Sequence, residues 1–307
     1  MRQEMAMQDR GHFMTELRNE RSMNIDQMSV AESFDLINSE DATVPAAVAA
    51  AKPAIVAAIE LVVAAFRAGG RLIYVGAGTS GRLGVVDASE CPPTYLTPPE
   101  MVQGVIAGGM GAMFKAVEGA EDSEQGGADA MAEKKVGPND VVFGIATGGS
   151  TPFVHGAIRY AKEHGAKTVF FACVPFEQFP DQADVSIRVL TGPEVITGST
   201  RMKAGTATKL VLNMVTTIAM VQIGKVYENL MVDVNAYSNR KLIDRGGRII
   251  SRITGVDREK GLELLHAANG RVKTGIVMQL CGVSREEAEE LLARHGGNVR
   301  AVIQNGR

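Results

Sequence analysis

The sequence predicts an α/β fold: a doubly wound, mostly parallel five-stranded sheet, preceded by N-terminal helices and followed by a small C-terminal helical bundle. Three observations carry this. Five short apolar runs, Leu72–Val75, Val102–Ala107, Val141–Ala146, Thr168–Val174 and Val185–Leu190, have the length of buried strands. Helical patterns stand between them, around Gly81–Ala88, Gly111–Lys135 and Phe153–Glu163. Such alternation builds a parallel sheet covered on both faces. Beyond the sheet the chain turns to short helical phrases. The expected division is a helical segment over 1–61, a sheet domain over 62–225 and a helical region over 226–307.

Taken in order, residues up to about Asn24 read as a polar lead-in. Ser29 followed by Glu32 has capping-box spacing, in which each side chain satisfies a backbone N–H at a helix start, and predicts a helix through Asn38. The Ala/Val-rich stretch from Val44 to Ala68 predicts a second helix, stopped by Gly69 and Gly70. A long helix near Gly205–Tyr227 follows the last strand. Further on, Ser284 and Glu287 repeat the capping box ahead of Leu291 and Leu292. Two similar phrases, Ala267–Lys273 and His295–Arg300, each predict a glycine turn feeding a helix.

Composition narrows the function. A net charge of −3 gives no global attraction to a polyanion, and aromatics at 5% with no tryptophan argue against base-stacking surfaces. The C-terminal lysines and arginines are offset by Glu286, Glu287, Glu289 and Glu290, so no nucleic-acid partner is expected. The three cysteines, Cys91, Cys173 and Cys281, have neither zinc nor disulfide spacing, which fits a reducing cytoplasm. Arg2, Glu4, Asp9 and Arg10 replace the apolar core of a signal peptide, and Lys52, Pro53 and Glu60 interrupt the Val44–Phe66 stretch, so no membrane association is expected. The histidines show no ligand spacing, and no metal or cofactor is expected.

The first strand runs into Gly76, Gly78 and Gly81, which satisfy G-x-G-x-x-G. Glycines admit an anion close to the backbone, and a helix start aims N–H groups at it. A dinucleotide site also needs a second strand ending in an acidic residue about twenty positions on. That region holds Pro92, Pro93, Pro98 and Pro99 instead, with Glu100 following no strand. Thr79 and Ser80 add hydroxyl donors, so the loop reads as a site for a small terminal phosphate, or else as a plain strand-to-helix turn. A second loop, Thr147-Gly-Gly-Ser150-Thr151, stands in the same position after the third strand. It reads as a second grip on one phosphorylated molecule, or as a turn with a hydroxyl cap. A third, from Glu194 through Ser199, Thr200 and Lys203, packs a carboxylate, hydroxyls and cations before the long helix. It reads as ligand contact or as a solvated cap. Two carboxylates are candidates for proton transfer, Glu90 at a helix end before Pro92 and Glu121 at a helix start; both also read as ordinary helix-end charges.

Gly76 to Gly84, with Asp87-Ala-Ser-Glu-Cys-Pro-Pro93, resembles the bacterial N-acetylmuramic acid 6-phosphate etherases, which carry a sugar isomerase (SIS) domain. The likeness continues through Arg18 and Asn19, Ser22–Asp26, Ala116–Ser123, Thr197–Thr206 and Asn229–Val234, almost end to end. It implies cleavage of the D-lactyl ether of N-acetylmuramic acid 6-phosphate to N-acetylglucosamine 6-phosphate and D-lactate, in cell-wall amino sugar recycling, without cofactor. It implies Glu90 as proton donor and Glu121 as second catalytic carboxylate. It also implies Gly78, Thr79, Ser80, Thr147, Ser150, Thr151, Ser199, Thr200 and Lys203 around the substrate, in a homodimer with sites near the interface. A neutral Glu90 needs its pKa raised by burial or by a neighbouring carboxylate. The chain departs from the family pattern at Gly148 and Ser150, where a serine and an arginine are usual, which removes a cation from the second loop. Two other functions share these loops: a non-catalytic phosphosugar-sensing regulator, which has no need of Glu90 and Glu121, and an aldose–ketose phosphate isomerase using Glu194.

Overall fold

The computed structural model describes residues 11–234, 236 and 240–305; the charged opening at Arg2, Glu4, Asp9 and Arg10 lies outside them. Helices α1 (Val30–Asp41), α2 (Val44–Ala50) and α3 (Lys52–Arg67) precede β1 (Leu72–Gly76) and α4 (Gly78–Tyr95). Then come β2 (Val102–Ile106), α5 (Glu124–Glu133), β3 (Val141–Ile145), α6 (Pro152–Glu163), β4 (Lys167–Ala172), β5 (Val185–Arg188) and α7 (Lys203–Gln222). A two-stranded hairpin, β6 (Val226–Tyr227) with β7 (Leu230–Met231), leads to α8 (Arg240–Thr254), α9 (Arg258–Ala267), α10 (Val272–Cys281), α11 (Arg285–Arg294) and α12 (Val299–Asn305).

Packing divides the chain into two compact units, one from the chain up to Ala88 with Gln103–Val215, the other from Ser89–Val102 with Thr216 onward. The first holds an all-parallel α/β sheet in the order β2-β1-β3-β4-β5. Leu72 stands opposite Val141, Val141 opposite Lys167, and Val169 opposite Val185. Every residue of β1 and β3 is buried, as a sheet covered on both faces requires. On one face Ile73, Val75, Val142 and Phe170 pack with Met131, Val154 and Ala157 of α5 and α6. Each large side chain so buried contributes roughly 1.5–3 kcal/mol. The strand order reverses between β1 and β3, so the loops leaving those strands flank the crevice where open α/β sheets bind ligands.

In the second unit, the hairpin and α8–α12 surround Val232, Ile250, Leu265, Ile276, Leu292 and Val302. Both expected capping boxes form, at Ser29 with Glu32 and at Ser284 with Glu287.

Several expectations are corrected. The helix from Val44 to Ala68 is two helices that break at Ala51, because Pro53 has no N–H to continue the first one. The helix expected over Gly111–Lys135 is a 3-10 turn at Gly109–Met113, a second at Ala120–Asp122, and then α5. Its glycines disfavour helix, and Gly119 adopts φ 72°. Pro92 and Pro93 do not form a turn after Glu90; α4 runs through them to Tyr95. The polar lead-in before Asn24 buries Phe13, Thr15, Asn19 and Ser22.

Candidate functional site

The first loop owes its shape to its glycines. Gly78 takes φ 52°, a left-handed conformation that β-carbons disfavour. At Gly81 a β-carbon would meet Ile106 Cγ1 at 2.6 Å and the Gly76 carbonyl oxygen at 2.7 Å, so only glycine lets α4 start this close to β1 and β2. The N–H of Gly81 donates to Ala77 O (3.2 Å), closing the first turn. The N–H groups of Gly78, Thr79 and Ser80 therefore precede the helix's own hydrogen bonding and point out of its positive end.

A cavity of about 220 Å³ opens beside this turn, lined by Gly78, Arg82, Ala107, Val117 and Glu121 among others. It brings two of the expected residues, Gly78 and Glu121, to one place. Arg82 was not singled out from the sequence; only the helical turn between it and Gly78 puts it on the same wall. Its Nε donates to Met113 O (3.1 Å), which holds the 3-10 turn of Gly109–Met113 against the cavity. Arg82 also returns a cation to a loop pair that lacks one at Ser150. The cavity wall therefore carries an open helix terminus, a guanidinium and two carboxylates, Glu118 and Glu121: the means to hold an anion and move a proton beside it.

The third loop reaches the first. A β-carbon on Gly205 would stand 3.7 Å from Thr79 Cγ2, so the start of α7 lies against Thr79. The N-terminus of α7 is already satisfied from within: Glu194, buried, accepts the N–H groups of Lys203 (3.0 Å) and Ala204 (2.9 Å). Burial pushes the Glu194 carboxyl up, against the pull of those N–H groups and the Lys203 charge. Lys203, expected at the substrate, is buried and donates to Glu40 Oε2 at 2.7 Å. Asn19 Nδ2 (2.8 Å) and Arg21 Nη1 (2.6 Å) donate to the same carboxylate. Ser199 and Thr200 are half-buried in the turn between.

The second loop is shaped by Gly149, whose φ of 81° and close approach to Phe179 (2.7 Å from an added β-carbon to Cβ) exclude other residues. His155 Nε2 donates to the Gly149 carbonyl (2.7 Å), so this histidine braces the loop. Thr147, Ser150 and Thr151 are half-buried. The N-terminal segment runs beside both loops: a β-carbon on Gly148 would stand 3.7 Å from Thr15 Oγ1, Gly198 N donates to Thr15 O (3.2 Å), and Ser22 Oγ donates to Val195 O (2.8 Å). Glu90 is exposed and belongs to the second unit. Among the described residues no cluster of His, Cys, Asp and Glu is arranged to hold a metal.

Residues 54–162 match the model of the glucokinase regulatory protein N-terminal SIS domain, and residues 114–218 match the SIS domain. Three curated relatives are named N-acetylmuramic acid 6-phosphate etherase. The protein of Synechocystis sp. is 53% identical, covering 96% of each chain. That of Crocosphaera subtropica is 50% identical over 98% of each. That of Nostoc punctiforme is 55% identical over 89% of this chain and 88% of its own. Among solved structures, a phosphoheptose isomerase from Francisella tularensis superposes with a TM-score of 0.46 at 19% identity, covering 63% of this chain and all of its own. With half or more of its residues shared over nearly its whole length, the chain belongs to the N-acetylmuramic acid 6-phosphate etherases, carbon–oxygen lyases with a SIS domain.

Proposed function

We propose that this etherase acts by elimination and re-addition, with Glu121 and Glu90 as its two proton carriers. The observation that carries the reading is the shared cavity of Gly78, Arg82 and Glu121 at the crevice edge of the sheet. An alkyl ether is a poor leaving group, so direct displacement is slow. In the open-chain sugar the C1 aldehyde acidifies the proton on C2. Glu121 takes that proton, the C3–oxygen bond breaks, and Glu90 protonates the departing D-lactate oxygen. Water then adds its hydroxyl to C3 of the unsaturated aldehyde and a proton returns to C2, giving N-acetylglucosamine 6-phosphate. The 6-phosphate is held by the N–H groups of Gly78, Thr79 and Ser80 with the hydroxyls of Thr79 and Ser80. Thr147, Ser150, Thr151, Ser199 and Thr200 complete the grip, and Arg82 supplies the cation.

The working form we infer is a homodimer in a reducing cytoplasm. Met110 and Phe114, beside the cavity, are 74% and 86% exposed, which supports a second copy covering this edge.

The test is D-lactate release from N-acetylmuramic acid 6-phosphate in deuterated water by wild type, Glu90→Ala and Glu121→Gln. Loss of a general acid or base costs about 10²–10⁴-fold in rate. Glu90→Ala is expected to lose lactate release, and Glu121→Gln to lose deuterium entry at C2 as well. Tight binding without lactate or exchange points to the sensor, and a ketose product without lactate to the isomerase.

A further inference from the structure

The second unit contains a larger cavity, of about 500 Å³, that none of the site residues named above lines. Its lining residues come from the end of α7 and the turn after it, from Val232–Val234, from the start of α10 and from the Gly296–Gly297 turn. Its charges do not balance. Among the described lining residues stand three cations, Lys225, Arg271 and Lys273, and one carboxylate, Asp233.

Both lysines share a single oxygen. Lys273 Nζ lies 2.7 Å and Lys225 Nζ 3.0 Å from Asp233 Oδ2. The side chain of Lys273 is 10% exposed, that of Lys225 21%. A buried charge is tolerated when it is paired, and one carboxylate neutralises one ammonium. Burial pushes the Lys273 ammonium down and the Lys225 charge adds to that, against the attraction of Asp233. Each ammonium carries three N–H donors, so donors remain beyond those that Asp233 takes. No side chain caps the N-terminus of α10, which opens at this wall directly after Arg271. Two of the four described non-glycine residues with positive φ, Leu96 (51°) and Asn269 (52°), also line the cavity. Backbone held in that conformation concentrates at ligand sites. The rest of the wall, including Ile223, Val232, Val234 and Leu292, is apolar.

We propose that this cavity is a second anion site, built to bind the phosphoryl group of a small metabolite between Lys225, Lys273 and the first turn of α10. Arg271 lies 3.9 Å from Glu289, so the cluster's excess is one ammonium, set beside an open helix N-terminus; together they suit an anionic phosphoryl group. The volume and the apolar floor leave room for a body beyond the phosphoryl group. The site shares no lining residue with the cavity of Gly78 and Glu121 and does not depend on the catalytic reading.

The test follows backbone amides of the full-length protein by NMR while inorganic phosphate, and separately a hexose 6-phosphate, is added. Saturable shifts are expected at Gly270, Lys273, Gly296 and Gly297. Lys225→Gln, at the more exposed lysine, is expected to weaken them by about tenfold or more, the worth of one charge-assisted hydrogen bond, while shifts at Gly78–Ser80 persist. Lys225→Arg is expected to restore binding. Saturation by both anions identifies the phosphoryl group as sufficient, and saturation by the sugar phosphate alone adds the body as a requirement. Shifts confined to Gly78–Ser80, or shifts at Gly270–Lys273 unchanged in Lys225→Gln, overturn the proposal and leave Lys225, Asp233 and Lys273 as a structural ion cluster.

Discussion

Replacing Lys203 with methionine removes one ammonium from an interior that has been organised around it. Glu40 is 5% exposed and accepts from Lys203 Nζ at 2.7 Å, Asn19 Nδ2 at 2.8 Å and Arg21 Nη1 at 2.6 Å. Removing one partner of a buried pair costs roughly 3–5 kcal/mol, because the other charge is left behind. Here Asn19 and Arg21 remain, although the Arg21 side chain is 56% exposed and screened by solvent, so the lower end, about 3 kcal/mol, applies. For a folding unit of this size that corresponds to a fall of roughly 6–12 °C in Tm. Thermal unfolding followed by circular dichroism measures it. The double variant Glu40→Gln/Lys203→Met, with no stranded charge, is expected to recover part of the loss. A single variant melting within about 2 °C of wild type, or a double variant no better than the single, refutes the reasoning. The pH dependence supplies a second check. Burial alone would push the Glu40 carboxyl up, but the Lys203 and Asn19 hydrogen bonds and the Lys203 and Arg21 charges outweigh it and hold it below its ordinary 4.5. Its folded pKa is therefore depressed, and its stabilisation is present above 4.5 and lost as pH falls through the folded value. The advantage of wild type over Glu40→Gln should shrink only in that acid range.

Glu194 carries the opposite sign: burial raises its pKa above the ordinary 4.5, so wild type should gain on Glu194→Gln as pH falls toward 4.5, measured by urea unfolding at two pH values. At Gly81→Ala the new methyl meets the Gly76 carbonyl, which has no rotamer to yield, and a loss at the upper end of about 1–3 kcal/mol is expected in urea midpoints. Asp87 accepts from Tyr74 Oη (3.0 Å) and Asn213 Nδ2 (2.6 Å); Asp87→Ala removes both bonds and should cost about 2 kcal/mol in urea midpoints.

The elements with strong local causes were legible along the chain. Five apolar runs gave five strands, within two residues at each end; in β1, β3 and β4 this is because a strand buried on both faces tolerates little else. The capping boxes at Ser29 and Ser284 formed because both partners lie within four residues. Elements that depend on competition were less legible. The stretch after β2 has helical composition in part, but its glycines decide the outcome. At Pro92 and Pro93 the helix persists where local preference favours a break.

What the sequence by itself determined is the sheet, the three loops at its edge and the family, since these rest on periodicity and on contiguous motifs. Where each side chain is engaged was decided only by the tertiary structure. Lys203 stands in a polar loop that reads as a ligand contact, yet it turns inward to Glu40, a partner 163 positions away. Arg82 reads as one motif residue among several, yet it shares a cavity with Glu121. The two compact units are each discontinuous, exchanging chain within α4, at the start of β2 and within α7, so no boundary drawn once along the sequence describes them. Local preference acts over a few residues, whereas a buried charge must find its partner wherever the fold brings one.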